Sequence, residues 1–192
     1  MGVAAGAGFG PYLSIYAISV LGETAGYAIL LSAVSSAASL VTATVVGGLL
    51  NRGSASRTLR LSFVLRGGGI LLGLLAFPAN PLAWLVLLGV AAVVSAGASA
   101  AVLSSNERLL RLTGGVDLIG AQSRFVAGTA AGLTVGQLGS ASVLAILPVA
   151  FPTFAILMTG SGLVRLILAT RIDVSATWST ATAAFDVAEL RG

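Results

Sequence analysis

The sequence has no cysteine, no histidine and no lysine, so all of its ten basic residues are arginine. Without thiols or imidazoles the chain has no cysteine–histidine or serine–histidine pair for nucleophilic catalysis, and it cannot build a zinc site from those ligands. Any serine nucleophile would need arginine as its base, which is poor chemistry at neutral pH. We therefore expect no enzymatic activity, no cofactor and no metal.

Charged residues are scarce as well, at 8% of the 192 residues, whereas hydrophobic residues make up 57%. A water-soluble domain carries about 25% charged residues, so a soluble fold of this chain would expose an apolar surface. The composition instead predicts an all-α integral membrane protein in a lipid bilayer, with room for about six or seven spans of ~20 residues. The net charge of +4 is too small to indicate nucleic-acid binding.

Six apolar runs separated by short breaks predict a bundle of six transmembrane helices. No basic segment precedes the first run, so we interpret it as a span rather than as a cleavable signal peptide. A polar stretch at residues 172–192 predicts a short cytoplasmic tail after the membrane domain of residues 1–171. The predicted spans cover residues 3–21, 25–50, 61–77, 82–103, 118–138 and 143–169.

The arginines follow every second predicted span, whereas the alternate loops have no basic residue. This distribution is the positive-inside pattern, and it predicts that the N- and C-termini are both cytoplasmic. We expect a multi-pass protein of the bacterial cytoplasmic (inner) membrane. The arginines that follow spans two, four and six are Arg52, Arg57, Arg60, Arg108, Arg111 and Arg171.

The most specific motif lies between spans two and three, from Gly47 to Arg57, and is called the signature loop below. Gly47, Leu49 and Arg52 match a Gly-x-Leu-Ala-Asp-Arg-x-Gly-Arg-Arg pattern, and in this the chain resembles the major facilitator superfamily (MFS) of transporters. Asn51 stands where the family usually has Asp, and only Arg57 is left of the basic cluster. The alternative is an ordinary arginine-rich cytoplasmic loop.

The resemblance covers roughly residues 9–171 and implies the C-terminal six-helix half of such a transporter. A complete member has two six-helix halves and carries a small solute by alternating access along a path between them. The partner would be a missing N-terminal half or a second copy, and the apolar start at Met1 favours a truncated chain. The alternative is a non-transporting membrane scaffold or assembly subunit, which predicts no pseudo-symmetry between spans one to three and four to six.

Polar residues inside the spans are the candidates for the substrate path. In the family the first, second, fourth and fifth helices of a half line this path, which implies that role for six residues here. The alternative for hydroxyl and amide side chains is ordinary hydrogen bonding between helices. The candidates are Tyr12, Tyr16, Ser36, Gln122, Arg124 and Gln137.

Arg124 is the most specific of these candidates, because an arginine ~10 Å inside the membrane is costly and marks a functional site by default. It would bind an anionic group of the substrate, or pair with Asp117 or Glu107. The alternative is that its side chain snorkels to the cytoplasmic headgroups. Snorkelling is the expected behaviour of the two other arginines inside spans, Arg66 and Arg165.

Span five also carries a glycine stripe, in which Gly128, Gly132 and Gly136 recur at intervals of four residues on one helix face. Small residues at this spacing let another helix approach closely, which is how membrane helices associate. We therefore predict that this face packs against a helix. In a transporter the same face would also rock against the opposite half.

Overall fold

The computed structural model describes residues 9–50, 55–113 and 118–172. These residues form six α-helices and one short 3₁₀ helix and contain no strand, which confirms the all-α class for this part of the chain. The predicted tail from residue 173 and the first part of predicted span one lie outside the described residues. The helices are α1 (Phe9–Ser19), α2 (Ala25–Leu50), α3 (Ala55–Leu72), α4 (Ala83–Thr113), α5 (Leu118–Ile146) and α6 (Phe151–Thr170), and the 3₁₀ helix is Gly73–Leu75.

Four segments of the described helices are long and apolar enough to cross a membrane. They have between 20 and 28 residues, which corresponds to about 30–42 Å of helix against a hydrocarbon core of about 30 Å. By length and composition the chain is a multi-pass membrane protein, and the full count of six spans stays a prediction. The four segments are Ala25–Gly48, Ala55–Leu75, Ala83–Leu110 and Phe151–Thr170.

The helices extend beyond the predicted spans where the chain becomes polar. Helix α3 begins at Ala55 rather than at residue 61, so Arg57 and Arg60 lie in its first turns and not in a loop. Helix α4 continues to Thr113, ten residues past the predicted end of span four. Hydropathy marks where the apolar run ends, whereas a helix continues for as long as its backbone hydrogen bonds are satisfied within the segment.

The break between the last two spans was predicted at residues 139–142, which are helical in the structure. Helix α5 continues to Ile146, and α6 begins at Phe151, eight residues after the predicted start of span six. Pro148 lies between the two helices because proline lacks the N–H that a helix interior requires. Pro152 lies in the first turn of α6, where a missing N–H is tolerated.

Helix α4 is at the centre of the bundle and packs along both α2 and α3. The hydroxyl of Ser39 donates a hydrogen bond to the carbonyl oxygen of Ser95 at 3.4 Å, and the hydroxyl of Tyr27 donates one to that of Trp84. These two links have sequence separations of 56 and 57 residues, so α2 and α4 run parallel. Successive crossings in a membrane produce this arrangement, with α3 antiparallel to both.

Close approach of glycines joins α3 to α6. A Cβ atom on Gly67 would lie 3.0 Å from the carbonyl oxygen of Gly162, and one on Gly162 would lie 3.1 Å from that of Gly67. Further along the same pair, Gly73 lies against Met158 and Phe154. The two helices are therefore antiparallel, and their backbones touch where neither residue has a side chain.

An aromatic cluster fastens α1 to the rest of the bundle. The rings of Tyr16 and Phe154 are stacked, with centroids 3.9 Å apart and an interplanar angle of 11°. The hydroxyl of Tyr16 donates a hydrogen bond of 2.7 Å to the carbonyl oxygen of Ala76, just after the 3₁₀ helix. Tyr12 stacks on the same phenylalanine at 6.1 Å. A smaller buried cluster of Val46, Leu50, Ala55 and Ala100 lies at the opposite end of the bundle.

Candidate functional site

The outer face of α2 has no cover in the described part of the chain. One side of α2 packs on α4, whereas Ile29 and Leu40 on the other side are 73% and 71% exposed. Ser36 is exposed and shares this outer side, since residues 29, 33, 36 and 40 follow the helical repeat. Ser36 lies eleven residues from the start of α2, near the middle of the helix. The predicted path residue of α2 is thus accessible at mid-depth.

Helix α5 is even less covered. It packs against the adjoining α4, and no other described helix makes comparable contact with it. Ile119 and Ile146, near its two ends, are 86% and 80% exposed. An apolar helix with so little cover needs lipid or another protein around it. We call the outer faces of α2 and α5 together the uncovered face.

Two of the predicted path residues of α5 lie on its accessible surface. Gln122 and Arg124 are both exposed, four to six residues after the start of the helix at Leu118. The side chain of Gln137 lies outside the described residues, and so does Asp117, the predicted partner of Arg124. Ser36 thus lies on the outer side of α2, whereas Gln122 and Arg124 lie on different sides of the accessible surface of α5, because residues two apart on a helix do not share a face.

The two tyrosines predicted to line the path do not lie on the uncovered face. Tyr12 is 3% exposed and Tyr16 is fully buried, and both rings stack on Phe154 of α6. Their spacing of four residues places them on one side of α1, and this side faces the interior of the bundle. The prediction that they form the wall of an open path is corrected: they pack α1 against α6.

The glycine stripe of α5 makes no close contact where its surroundings are described. Gly128 is exposed, and a Cβ atom there would meet nothing within 4 Å. Gly132 is half-buried, and the surroundings of Gly136 lie outside the described residues. No described helix therefore packs against Gly128. That a helix of a partner packs there stays a prediction.

Other glycines, which were not predicted from the sequence, set the spacing between helices. A Cβ atom on Gly97 of α4 would lie 2.4 Å from Cγ of Arg66 and 3.0 Å from the carbonyl oxygen of Ser62. One on Gly69 of α3 would lie 2.7 Å from the side chain of Val93. A signal was present, because three consecutive glycines at residues 67–69 weaken a helix and need a packing reason.

The signature loop is only partly described. Gly47 is exposed at the end of α2 with open space around it, and Arg57 is exposed in the first turns of α3. Asn51, Arg52 and the side chain of Leu49 lie outside the described residues. The family resemblance at this loop stays a prediction.

The two arginines predicted to snorkel are buried instead. Arg66 in α3 is 8% exposed and Arg165 in α6 is fully buried. The aliphatic part of Arg66 packs on Gly97, and one terminal nitrogen of Arg165 donates hydrogen bonds to the carbonyl and hydroxyl oxygens of Ser161. Side chains on a helix tilt toward its N-terminus, which directs Arg165 back along α6 to Ser161.

A shallow apolar groove of about 490 Å³ runs between α2 and α4. Its lining offers almost no polar group and so no means of orienting a polar solute. Among the described residues no group of three or more acidic residues lies together as a metal site would require. The groove is lined by Val34, Ala37, Ala38, Val41, Thr42, Ala92, Val93 and Ala96.

Comparisons of the chain with protein-family models, with curated proteins and with solved structures find no match.

Proposed function

We propose that the chain is one six-helix half of a major-facilitator-type secondary transporter, which moves a small solute by alternating access. In this proposal a second six-helix bundle, either a separate half or a second copy, covers the uncovered face. The solute path runs between the two bundles, past Ser36 of α2 and past Arg124, which shares one side of α5 with Gly128. Arg124 supplies a positive charge to an anionic group of the solute or to a carboxylate of the chain.

The observation that carries the proposal is which helices are left uncovered. The second and fifth helices have the least cover and carry the exposed path candidates. The third and sixth helices also expose apolar side chains, such as Leu61 and Ile156, but pack on each other through Gly67 and Gly162. The family resemblance implies a path lined by the first, second, fourth and fifth helices, and the exposure of the second and fifth agrees with part of that set. Lipid or a second bundle would have to cover these two helices.

The proposed topology follows from the arginines at one end of the bundle. Arg60 near the start of α3 and Arg171 just after α6 are both exposed, and the antiparallel packing of α3 on α6 places them at the same end. We call this end the arginine end and propose that it faces the cytoplasm. The turns at Gly22 and Pro78 then lie on the outer side.

A scaffold or assembly subunit is the second candidate, and one observation favours it. Pseudo-symmetry between the two triplets of helices would relate α1 to α4 and α2 to α5, so α5 should pack on α1 as α2 packs on α4. Packing of that extent between α1 and α5 does not occur among the described residues. A scaffold would use the uncovered face as a fixed interface, with no path through it.

Disulfide cross-linking tests whether a second bundle covers this face. The chain contains no cysteine, so one introduced cysteine is the only thiol in the protein. Gly128→Cys places it on the uncovered face, and Gly160→Cys is the matched control on α6. Both positions are exposed helical glycines with open space around them, each ten residues from the arginine end of its helix.

Full-length variants are expressed in membranes and oxidised, and the products are separated without reductant. If the second bundle is a second copy of this chain, a cross-linked dimer of Gly128→Cys is expected, with at least fivefold less of it for Gly160→Cys. Equal yields at both positions would show random collision in the membrane. Absence of a dimer at Gly128→Cys would contradict a second copy on this face.

A further inference from the structure

Two buried arginines of neighbouring helices lie at the same depth in the bundle. Arg66 is six residues inside Arg60 on α3, and Arg165 is six residues inside Arg171 on α6. At 1.5 Å per residue, each lies ~9 Å deeper than the arginine end. Their helices touch at Gly67, which follows Arg66, and at Gly162, three residues before Arg165. The bundle thus holds two buried cations on adjoining helices.

Hydrogen bonds hold the guanidinium group of Arg165 in place but occupy only some of its N–H donors. Its Nη1 atom donates a hydrogen bond of 2.9 Å to the carbonyl oxygen of Ser161 and another to the hydroxyl of the same residue. Its Nε and Nη2 atoms are buried without a hydrogen-bond partner, and so is Nε of Arg66. Nε and Nη2 form the side edge of the guanidinium, which offers two parallel N–H donors to one oxyanion.

Neither of the described carboxylates lies at the depth of Arg66 and Arg165. Glu23 and Glu107 are the acidic residues among those described. Glu107 lies ten residues along α4 from Gly97, the position against which Arg66 packs, and this separation corresponds to ~15 Å. Glu23 lies in the turn before α2, at the end of the bundle opposite to the arginine end.

Two desolvated cations with unused donors need an anion, because an uncompensated buried charge is strongly destabilising. We propose that Arg165 forms a buried oxyanion site that binds a phosphate group, with two of its oxygens on the side edge of Arg165 and with Arg66 as a second positive charge on the adjoining helix. Guanidinium groups suit this ligand because their fork matches the spacing of phosphate oxygens. The site is separate from the uncovered face and does not depend on transport.

The phosphate has two possible sources, and both reach the site from the arginine end. One is the headgroup of a membrane phospholipid, since the pair lies only ~9 Å inside the arginines that mark the interface. The other is free phosphate from solution. The two sources share one chemistry and differ in whether the ligand stays with the purified protein.

Thermal unfolding of the full-length, delipidated protein in a neutral detergent tests free phosphate. Inorganic phosphate should raise the melting temperature by several degrees in a saturable manner, relative to chloride at equal ionic strength. Arg165→Gln and Arg66→Gln should abolish this shift. Arg60→Gln and Arg171→Gln, which alter exposed arginines of the same end, should retain it.

Phosphorus analysis and native mass spectrometry of the undelipidated protein test the lipid source. About one phospholipid per chain should stay bound to the wild type and to Arg60→Gln, and it should be lost from Arg165→Gln. A retained phospholipid without a rise in melting temperature on adding phosphate identifies a lipid-specific site. A rise in melting temperature without retained phospholipid identifies free phosphate as the ligand. Either result supports the proposal.

The proposal is overturned if the wild type shows neither a phosphate shift nor a retained phospholipid. It is also overturned if the exposed-arginine variants lose both signals as fully as the buried ones. Arg165→Lys covers the case in which Arg165→Gln fails to fold, because lysine keeps the charge but not the two-donor edge. It should fold and bind phosphate at least tenfold more weakly.

Discussion

At the scale of single residues, glycines decide how closely the central helices approach each other, because they have no side chain. Gly67 and Gly162 bring the backbones of α3 and α6 together, and Gly97 makes room for the aliphatic part of Arg66. In a bilayer, where lipid competes equally for apolar side chains, such close packing is a main source of helix association. Each of these glycines is therefore sensitive to added volume, whereas Gly160 and Gly128 are not.

The first prediction compares Gly162→Val with Gly160→Val. At Gly162 even a Cβ atom would lie 2.7 Å from Leu71 and 3.1 Å from the carbonyl oxygen of Gly67, so valine forces the two helices apart. We expect Gly162→Val to lower the free energy of unfolding by about 1–3 kcal/mol. Gly160→Val is the control, because its site is open. Equal stability of the two variants in a detergent unfolding assay would contradict the α3–α6 packing.

The second prediction concerns the two buried tyrosine hydroxyls. Tyr16 donates to the carbonyl oxygen of Ala76, whereas the hydroxyl of Tyr12 is buried with no partner. Tyr16→Phe should lower the free energy of unfolding by roughly 0.5–1.5 kcal/mol. Tyr12→Phe should leave stability unchanged or raise it, since it removes an unsatisfied polar group. The same unfolding assay measures both, and the opposite ranking would show that α1 is placed differently.

At the scale of elements, α5 differs most from its neighbours. It has 29 residues, and its accessible surface is apolar at Ile119, Val126 and Ile146, yet among the described helices it packs appreciably on α4 alone. Its glycine stripe would allow a helix from outside the described chain to approach closely. The function of α5 therefore depends on what covers it rather than on contacts that it already makes.

The third prediction separates association from folding by Gly128→Leu. The site is open, so leucine should change the stability of the isolated chain by no more than about 0.5 kcal/mol. It should weaken self-association at least tenfold, because a large side chain keeps the partner helix away. Energy transfer between labelled copies in lipid measures association, and Gly160→Leu is the control. If Gly128→Leu associates as strongly as the wild type, the glycine stripe is not part of the interface.

The sequence was sufficient to predict the helices, because long apolar runs have few other solutions in a membrane. It placed the starts of α2 and α5 correctly and misplaced the start of α6, since small residues at 139–142 looked like a break while Pro148 is the actual one. It could not predict which face of α1 turns inward. Tyr12 and Tyr16 fit a path or a core equally well by spacing, and only the position of Phe154 decides.

The arginines inside the helices show that sequence spacing does not determine the direction in which a side chain points around its helix. Depth along the helix was predictable for Arg66, Arg124 and Arg165, but the direction around the helix was not. Two of them turn into the bundle and one is exposed on α5. The burial of Arg66 depends on Gly97 of another helix, against which its aliphatic part packs, and no local pattern records such a contact.

At the scale of the whole molecule, the described chain is a tightly joined group of helices with two of its members exposed. Helices α3, α4 and α6 are held by glycine contacts and α1 by aromatic stacking, while α2 and α5 face outward. A transporter half and a scaffold share this shape and differ in whether water reaches the uncovered face at mid-membrane. Ser36 marks that depth on α2.

The most direct test of the proposed transport function is the labelling of Ser36→Cys by a membrane-impermeant maleimide, added separately to sealed right-side-out and inverted vesicles. Alternating access predicts labelling from both sides, because the path opens to each in turn. Gly160→Cys, on the exposed surface of α6 and outside the proposed path, should be labelled from neither side. Labelling of Ser36→Cys from one side only, or from neither, would contradict the account and favour a fixed scaffold.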